Sequence, residues 1–145
     1  MSPMLVDQVE FRVHAAICAV LVLKLVINAL AIGAVRVYQK SWAQAEDAST
    51  FRGEVRLDAS VERLRRLHLN SLENELPYMI VGLLFVLVGT PLVGIQAYGY
   101  TFLLTRLAHA GFYLGRLQPF RSLSWGVGTL CLIGMSVQIL MASFR

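Results

Sequence analysis

Four stretches of the chain are apolar over, or extendable to, about twenty residues, and none alternates with the two-residue period of a strand. Ala15 to Val37 is apolar apart from Lys24 and Asn28, and Ser122 to Phe144 carries no formal charge. Gly94 to Leu117 is apolar and aromatic, interrupted by Arg106 and His109. Leu76 to Val88 is apolar but short, and it continues without a turn signal from a charged helical pattern, VERLRRLHLNSLEN, Val61 to Asn74. With their flanks these stretches predict helices over about 11–38, 61–89, 94–117 and 121–144, in one domain covering residues 1–145. A bilayer core takes ~20 helical residues, and only helices or closed barrels satisfy their backbone groups in lipid. The expected fold is therefore all-α, an integral membrane four-helix bundle. A soluble bundle is disfavoured because the last segment offers water no polar face.

Composition agrees: 57% of residues are hydrophobic and the mean hydropathy is +0.62. The net charge of +4 is no sign of nucleic-acid binding, because an anionic bilayer surface explains it equally well. Arg36, Lys40, Arg52, Arg56, Arg63, Arg65 and Arg66 flank the first connection, and Arg116 and Arg121 the third. Only Arg12 and Arg145 mark the other side, so the cation bias places the first and third connections in the cytoplasm. The N-terminal run, which follows Glu10, Arg12 and His14, is too long for a signal peptide and lacks a small-residue cleavage site; it reads as a retained helix. Cys18 and Cys131 sit inside apolar runs and read as small core filler, without disulfide or metal spacing. No metal site is expected, and no GxGxxG, Walker loop or HExxH occurs. Trp42, Tyr98 and Tyr100 are assigned to interfacial aromatic belts. Between about Gln39 and Ser60 lies the one long loop, with Asp58 or Ser60 as N-cap of the second helix.

At 1.5 Å per residue the helix from Val61 to Gly89 spans ~43 Å, beyond the ~30 Å hydrocarbon core, so its polar turns must reach the cytoplasmic boundary of the bilayer. Glu62, Arg66, Asn70, Glu73 and Pro77 follow helical steps along one face. In the third segment Arg106, His109, Tyr113 and Arg116 do the same. Ionisable groups at membrane depth cost several kcal/mol unless paired, and normally turn toward partners or a site. Some of this set reads as an internal ion pair, for example Glu73 with Arg106. An excess of cation remains at the cytoplasmic mouth, from Arg36, Arg66, Arg116 and Arg121, and such a cluster suits an anionic ligand. Glutathione fits, with two carboxylates, an amine, two peptide groups and a thiol; other small anions, phospholipid headgroups included, fit as well.

VERLRRLHLNSLENELPY, Val61 to Tyr78, resembles the signature of the MAPEG family of membrane proteins, which act in eicosanoid and glutathione metabolism. SWAQAEDAS resembles the family's FANPEDA-like loop, and TRLAHAGFYLGRLQPFRSLSW its third helix and the start of its fourth. Within the family the pattern LHLNSLEN is closer to the microsomal glutathione transferase than to the microsomal prostaglandin E synthase, and Leu69 stands where the synthase carries arginine. The resemblance implies a homotrimer that binds glutathione between neighbouring subunits near the cytoplasmic face. By matching position, the glutathione contacts would be Arg36, Arg66, Asn70, Glu73, His109, Tyr113, Arg121, Ser122 and Trp125. Trp125 replaces a tyrosine of the synthase and a phenylalanine of the transferase, and Glu75 replaces an apolar residue. Asp47 matches an acidic position that would orient Arg121, although a plain loop aspartate fits as well.

Arg121 and Ser122 are the expected catalytic residues. A free thiol has a pKa of ~8.5, and lowering it by two units takes ~2.7 kcal/mol. One cation ~4 Å away at an effective dielectric of ~20 offers ~4 kcal/mol, to which a serine hydroxyl and a helix N-terminus add. The expected function is a membrane glutathione transferase acting on hydrophobic electrophiles, a detoxification role, with peroxidase capacity toward lipid hydroperoxides. Two alternatives belong to the same family: a prostaglandin E synthase-type isomerase and a non-catalytic lipid-binding scaffold. A small transporter is disfavoured, since a polar funnel open to one face makes no route across. Membrane lipids, the lipid or electrophile substrate and two further copies of the chain are the expected partners. The membrane is either a bacterial inner membrane or the endoplasmic reticulum.

Overall fold

The computed structural model describes residues 6, 8–56 and 58–144. Its elements are α1 (Val9–Gln39), β1 (Ser41–Trp42), α2 (Ala45–Thr50), β2 (Glu54–Val55), α3 (Ala59–Leu87), α4 (Leu92–Leu114) and α5 (Gln118–Ser143). The described residues thus hold five helices where four were expected, because the 39–60 connection is not a bare loop. Arg145, one of the two bases assigned to the far side, lies outside the described residues. Two compact units emerge, one from residues 23–72 and one from residues 1–22 with 73–145.

In the first unit a parallel pair of two-residue strands, Ser41 opposite Glu54 and Trp42 opposite Val55, closes around α2. Ser41 holds the ends together: its hydroxyl donates to the carbonyl of Arg56 (2.7 Å) and accepts from the amide of Asp58 (3.0 Å). Asp58 then caps α3, its carboxylate accepting from the Ser60 amide at 2.8 Å. Trp42 departs from the aromatic-belt expectation. It is only 8% exposed and stacks on Phe51, centroids 4.9 Å apart, because the strand pair turns it into the loop's own small core. Gly53 lies beneath the indole, where a Cβ would touch the ring and come within 2.6 Å of the Lys40 carbonyl oxygen. Gly53→Ala should therefore push the indole outward, giving red-shifted Trp42 emission in a Trp125→Phe background. In the same unit Lys24 donates to the Ser71 hydroxyl at 2.9 Å, both groups buried, so Lys24 ties α1 to α3.

The second unit is a helical core of Ile17, Leu21, Tyr78, Phe85, Phe102, Cys131 and Met135. Tyr78 stacks on Phe102 at 4.2 Å. Buried His14 donates to the carbonyl of Met79 (3.2 Å), and Cys18 Sγ lies 3.3 Å from the same ring nitrogen. Two residues past the end of α3, Gly89 has a φ of +78° that permits the tight turn into Pro91 and α4. Between α4 and α5 only Gly115 to Leu117 intervene, so the two helices are antiparallel neighbours. Arg116 takes the left-handed φ of +60° there, and a proline stands in the first turn of α5.

α1 and α5 are each long and apolar enough to cross a membrane, and only 17% of the apolar window of each is buried. A soluble protein's core helix would be mostly covered. Here large apolar side chains such as Ile27, Leu30, Leu123, Leu130 and Ile133 stand exposed instead, a surface suited to lipid or to another protein.

Candidate functional site

The expected site residues fall into two groups, one in each compact unit. Arg36, Arg66 and Asn70 belong to residues 23–72; Glu73, His109, Tyr113, Arg121, Ser122 and Trp125 belong to the other unit.

The short α4–α5 turn assembles the second group. His109, one turn before the end of α4 and 6% exposed, has Nδ1 3.1 Å from the carbonyl oxygen of Arg121. A carbonyl only accepts, so Nδ1 carries the proton and donates. The Ser124 hydroxyl donates to the same carbonyl at 2.9 Å. The Arg121 guanidinium lies over the Tyr113 ring, 5.0 Å from its centroid, a cation–π contact that orients the charge without neutralising it. Ser122 and Trp125 are exposed on the outer side of α5, while Ser124, Gly128, Cys131 and Met135 face inward along helical steps of four, three and four. Thus His109, Tyr113 and Arg121 are in direct contact, and Ser122 and Trp125 stand on the same two turns with open faces.

Arg106 plays a different part from its stripe neighbours. It is 2% exposed, and Nη2 donates to the carbonyls of Ser124 (3.0 Å) and Trp125 (3.2 Å). Among the described residues no ion pair joins it to Glu73, the partner that the stripe suggested; Glu75, 0% exposed, is the acidic residue on the inward face. Helical geometry explains the change: residues 73 and 75 are ~200° apart around α3. Glu73 is exposed on the outer face, whereas Glu75 shares the inner face with Ser71, Tyr78 and Gly82. Neither Glu75 nor Ser124 was singled out as a site group; the inward step pattern through Gly128 and Cys131 was the signal for Ser124.

In the first group the cation excess expected at the mouth is smaller than charge counting implied. Arg66 Nε donates to Glu62 Oε1 at 2.8 Å, and Arg65 Nη1 stands 3.6 Å from Glu62 Oε2. The cause is the four-residue spacing on one face of α3. Arg36 Nε is buried without a hydrogen bond, which suits an incoming anion. Asn70 is half-buried. The hydrogen bond from Arg66, then the charges of Arg66 and Arg65, hold the Glu62 carboxyl below its ordinary range. A depressed carboxyl adds stability above its unfolded pKa, lost as pH falls through the folded value. Glu62→Gln should accordingly flatten the acid limb of a helix-content titration, by a small amount because the pair faces water.

The MAPEG family model matches residues 14–141. Human prostaglandin E synthase is 35% identical over 129 residues, 86% of this chain and 84% of its own length. Human microsomal glutathione S-transferase 1 is 33% identical over 141 residues, 92% and 91% of the two chains, and the Sus scrofa enzyme is 34% identical over 137 residues, 90% and 88%. Both branches match at the same level, so the choice between them falls to individual residues. A family model spanning most of the chain, together with full-length relatives of both kinds, shows that this chain belongs to the MAPEG family.

Proposed function

We propose that the chain is a membrane-embedded glutathione transferase that conjugates glutathione to hydrophobic electrophiles and also reduces lipid hydroperoxides. The observation that carries this reading is the α4–α5 corner, where buried His109 and Ser124 fix the backbone of Arg121 while its guanidinium and the Ser122 hydroxyl stay accessible. The donor set also fits the ligand: guanidinium groups of Arg36, Arg66 and Arg121 for carboxylates and thiolate, Glu73 for the ammonium, Asn70 for a peptide group. His109 and Tyr113 hold Arg121, and Trp125 walls the site. Glutathione, when bound, supplies the nucleophilic thiol. Arg121 and Ser122 stabilise its deprotonated sulfur by charge and by a donated hydrogen bond.

We read the chain as one domain of four transmembrane passes, residues 1–145, with the site near the cytoplasmic face. The exposure of Arg66 and Glu73 at the front of an apolar helix is costly in lipid, and a homotrimer that covers this face with a neighbouring copy removes the cost. Glutathione then lies between copies. The second reading is a prostaglandin E synthase-type isomerase, since that enzyme is as similar as the transferases; Leu69, at a position where the synthase carries arginine, favours the transferase.

Purified protein assayed with glutathione and 1-chloro-2,4-dinitrobenzene should show conjugation well above the spontaneous rate. A prostaglandin endoperoxide incubated in parallel should give no excess of the E-type product. Background conjugation together with rapid isomerisation would replace the first reading by the second.

A further inference from the structure

A groove in the unit formed by residues 1–22 and 73–145 takes no part in the proposed chemistry. It lies between α1 and α4, has a volume of about 570 Å³ and is open along one side. Small-molecule sites have volumes of ~300–1,000 Å³. From α1 it is lined by Val9, Val13, Ala16 and Val20, spaced by four, three and four residues and so on one face over ~16 Å. Leu103 of α4 extends the apolar wall. The floor lies where the two helices touch: Ile17 is 2% exposed, and a Cβ on Gly99 would come within 2.6 Å of its Cδ1. Arg12 and Tyr100 are the polar members of the lining, and none is acidic. Both are exposed, and among the described residues no ion pair or hydrogen bond engages either side chain. Glu10 stands ~200° around α1 from Arg12, on another face.

Packing sets the level of the cation. Ile17 meets Gly99 on α4, and His14 meets Met79 and Gly82 on α3. From Ile17 back to Arg12, α1 therefore runs toward the Gly89 turn, away from the Arg121 corner. In the topology proposed above, that end stands at the outer leaflet. An occupant that matches the groove carries negative charge at this end and an apolar chain beyond it. Arginine's planar fork pairs bidentately with phosphate, and basic pockets between transmembrane helices hold lipid headgroups.

We propose that this groove binds one anionic phospholipid of the outer leaflet, its phosphate on the Arg12 guanidinium and one acyl chain laid along Val13, Ala16 and Val20. With no acidic group in the lining to meet a choline ammonium, the groove selects anionic over zwitterionic headgroups. The site needs only a bilayer around α1 and is separate from glutathione chemistry.

Native mass spectrometry of the detergent-purified protein, titrated with phosphatidylglycerol or phosphatidylcholine of matched chains, reads lipid occupancy per subunit. Wild type should bind phosphatidylglycerol about tenfold more tightly, the margin of a charge-assisted contact. Arg12→Gln should remove that preference, and Arg12→Lys should keep most of it. Ala16→Phe, which fills the groove and keeps the cation, should weaken phosphatidylglycerol binding about tenfold by excluding the chain. Arg52→Gln, on the cytoplasmic connection, should leave the preference in place. A wild type without preference would mean that Arg12 only snorkels to the headgroups, and it overturns the site. So do an unchanged preference in Arg12→Gln, full binding by Ala16→Phe, or tighter binding of oleate than of phosphatidylglycerol. A changed subunit number in Arg12→Gln at constant lipid occupancy gives the groove to a second copy and overturns it as well.

Discussion

Arg121→Ala is expected to lower conjugation at neutral pH by about 25-fold, the fall in thiolate fraction when a thiol pKa rises from ~6.5 to ~8.5, and to move the alkaline-rising limb of its pH profile upward by about two units. The reasoning is electrostatic. A thiol with a pKa of ~8.5 is mostly protonated at pH 7, and a two-unit depression corresponds to ~2.7 kcal/mol. The Arg121 guanidinium is suited to supply most of that, because Tyr113 orients it through the ring face and leaves its charge uncompensated. The depressed pKa gives thiolate at neutral pH; without the cation the thiolate forms only as pH rises toward the free value. Activity of the variant should therefore recover on going from pH 7 to 9, where the wild type is flat. Arg121→Lys should fall between, as a point charge without the planar stacking on Tyr113. The readout is kcat against pH with saturating electrophile. A uniform loss across the whole pH range would assign Arg121 to binding or packing instead.

The largest stability effect should come from Arg106→Leu, about 3–5 kcal/mol. That substitution removes the charged donor from the Ser124 and Trp125 carbonyls, and a hydrogen bond to a charged group is worth about 1.5–3 kcal/mol. Arg106→Lys, which keeps the charge but loses the planar fork, should cost less. Equilibrium unfolding in mild detergent, titrated with a denaturing detergent, distinguishes the two variants. Equal destabilisation of the two would show that Arg106 contributes through packing and not through charge.

Much of the architecture can be read without coordinates because helices in an apolar chain are specified by local periodicity. The long runs around Ala15 to Val37 and Ser122 to Phe144 allow no other regular structure, and the all-helical class follows. The spacing of Arg106, His109 and Tyr113 likewise places them on one face. What spacing leaves open is depth and partner. Arg66 was counted among cations awaiting an anion, yet Glu62 four residues earlier meets it on the same face. Trp42 was assigned to the membrane interface by residue type, and the parallel strand pair folds it inward onto Phe51. The short helix α2 was missed because six residues give too little periodicity to register.

Local order along the chain was enough for the helical segments, their apolar reach, the cation-rich ends and the family, since each depends on residues near one another in the chain or on a long matching motif. Packing alone settled which acidic side chain turns inward. Glu73 and Glu75 are two residues apart and chemically equal, and the rotation of α3 in its packed unit buries one and exposes the other. The same packing brought the ring of His109 to the backbone of Arg121, a contact between residues twelve apart whose existence depends on a three-residue turn closing in one particular geometry.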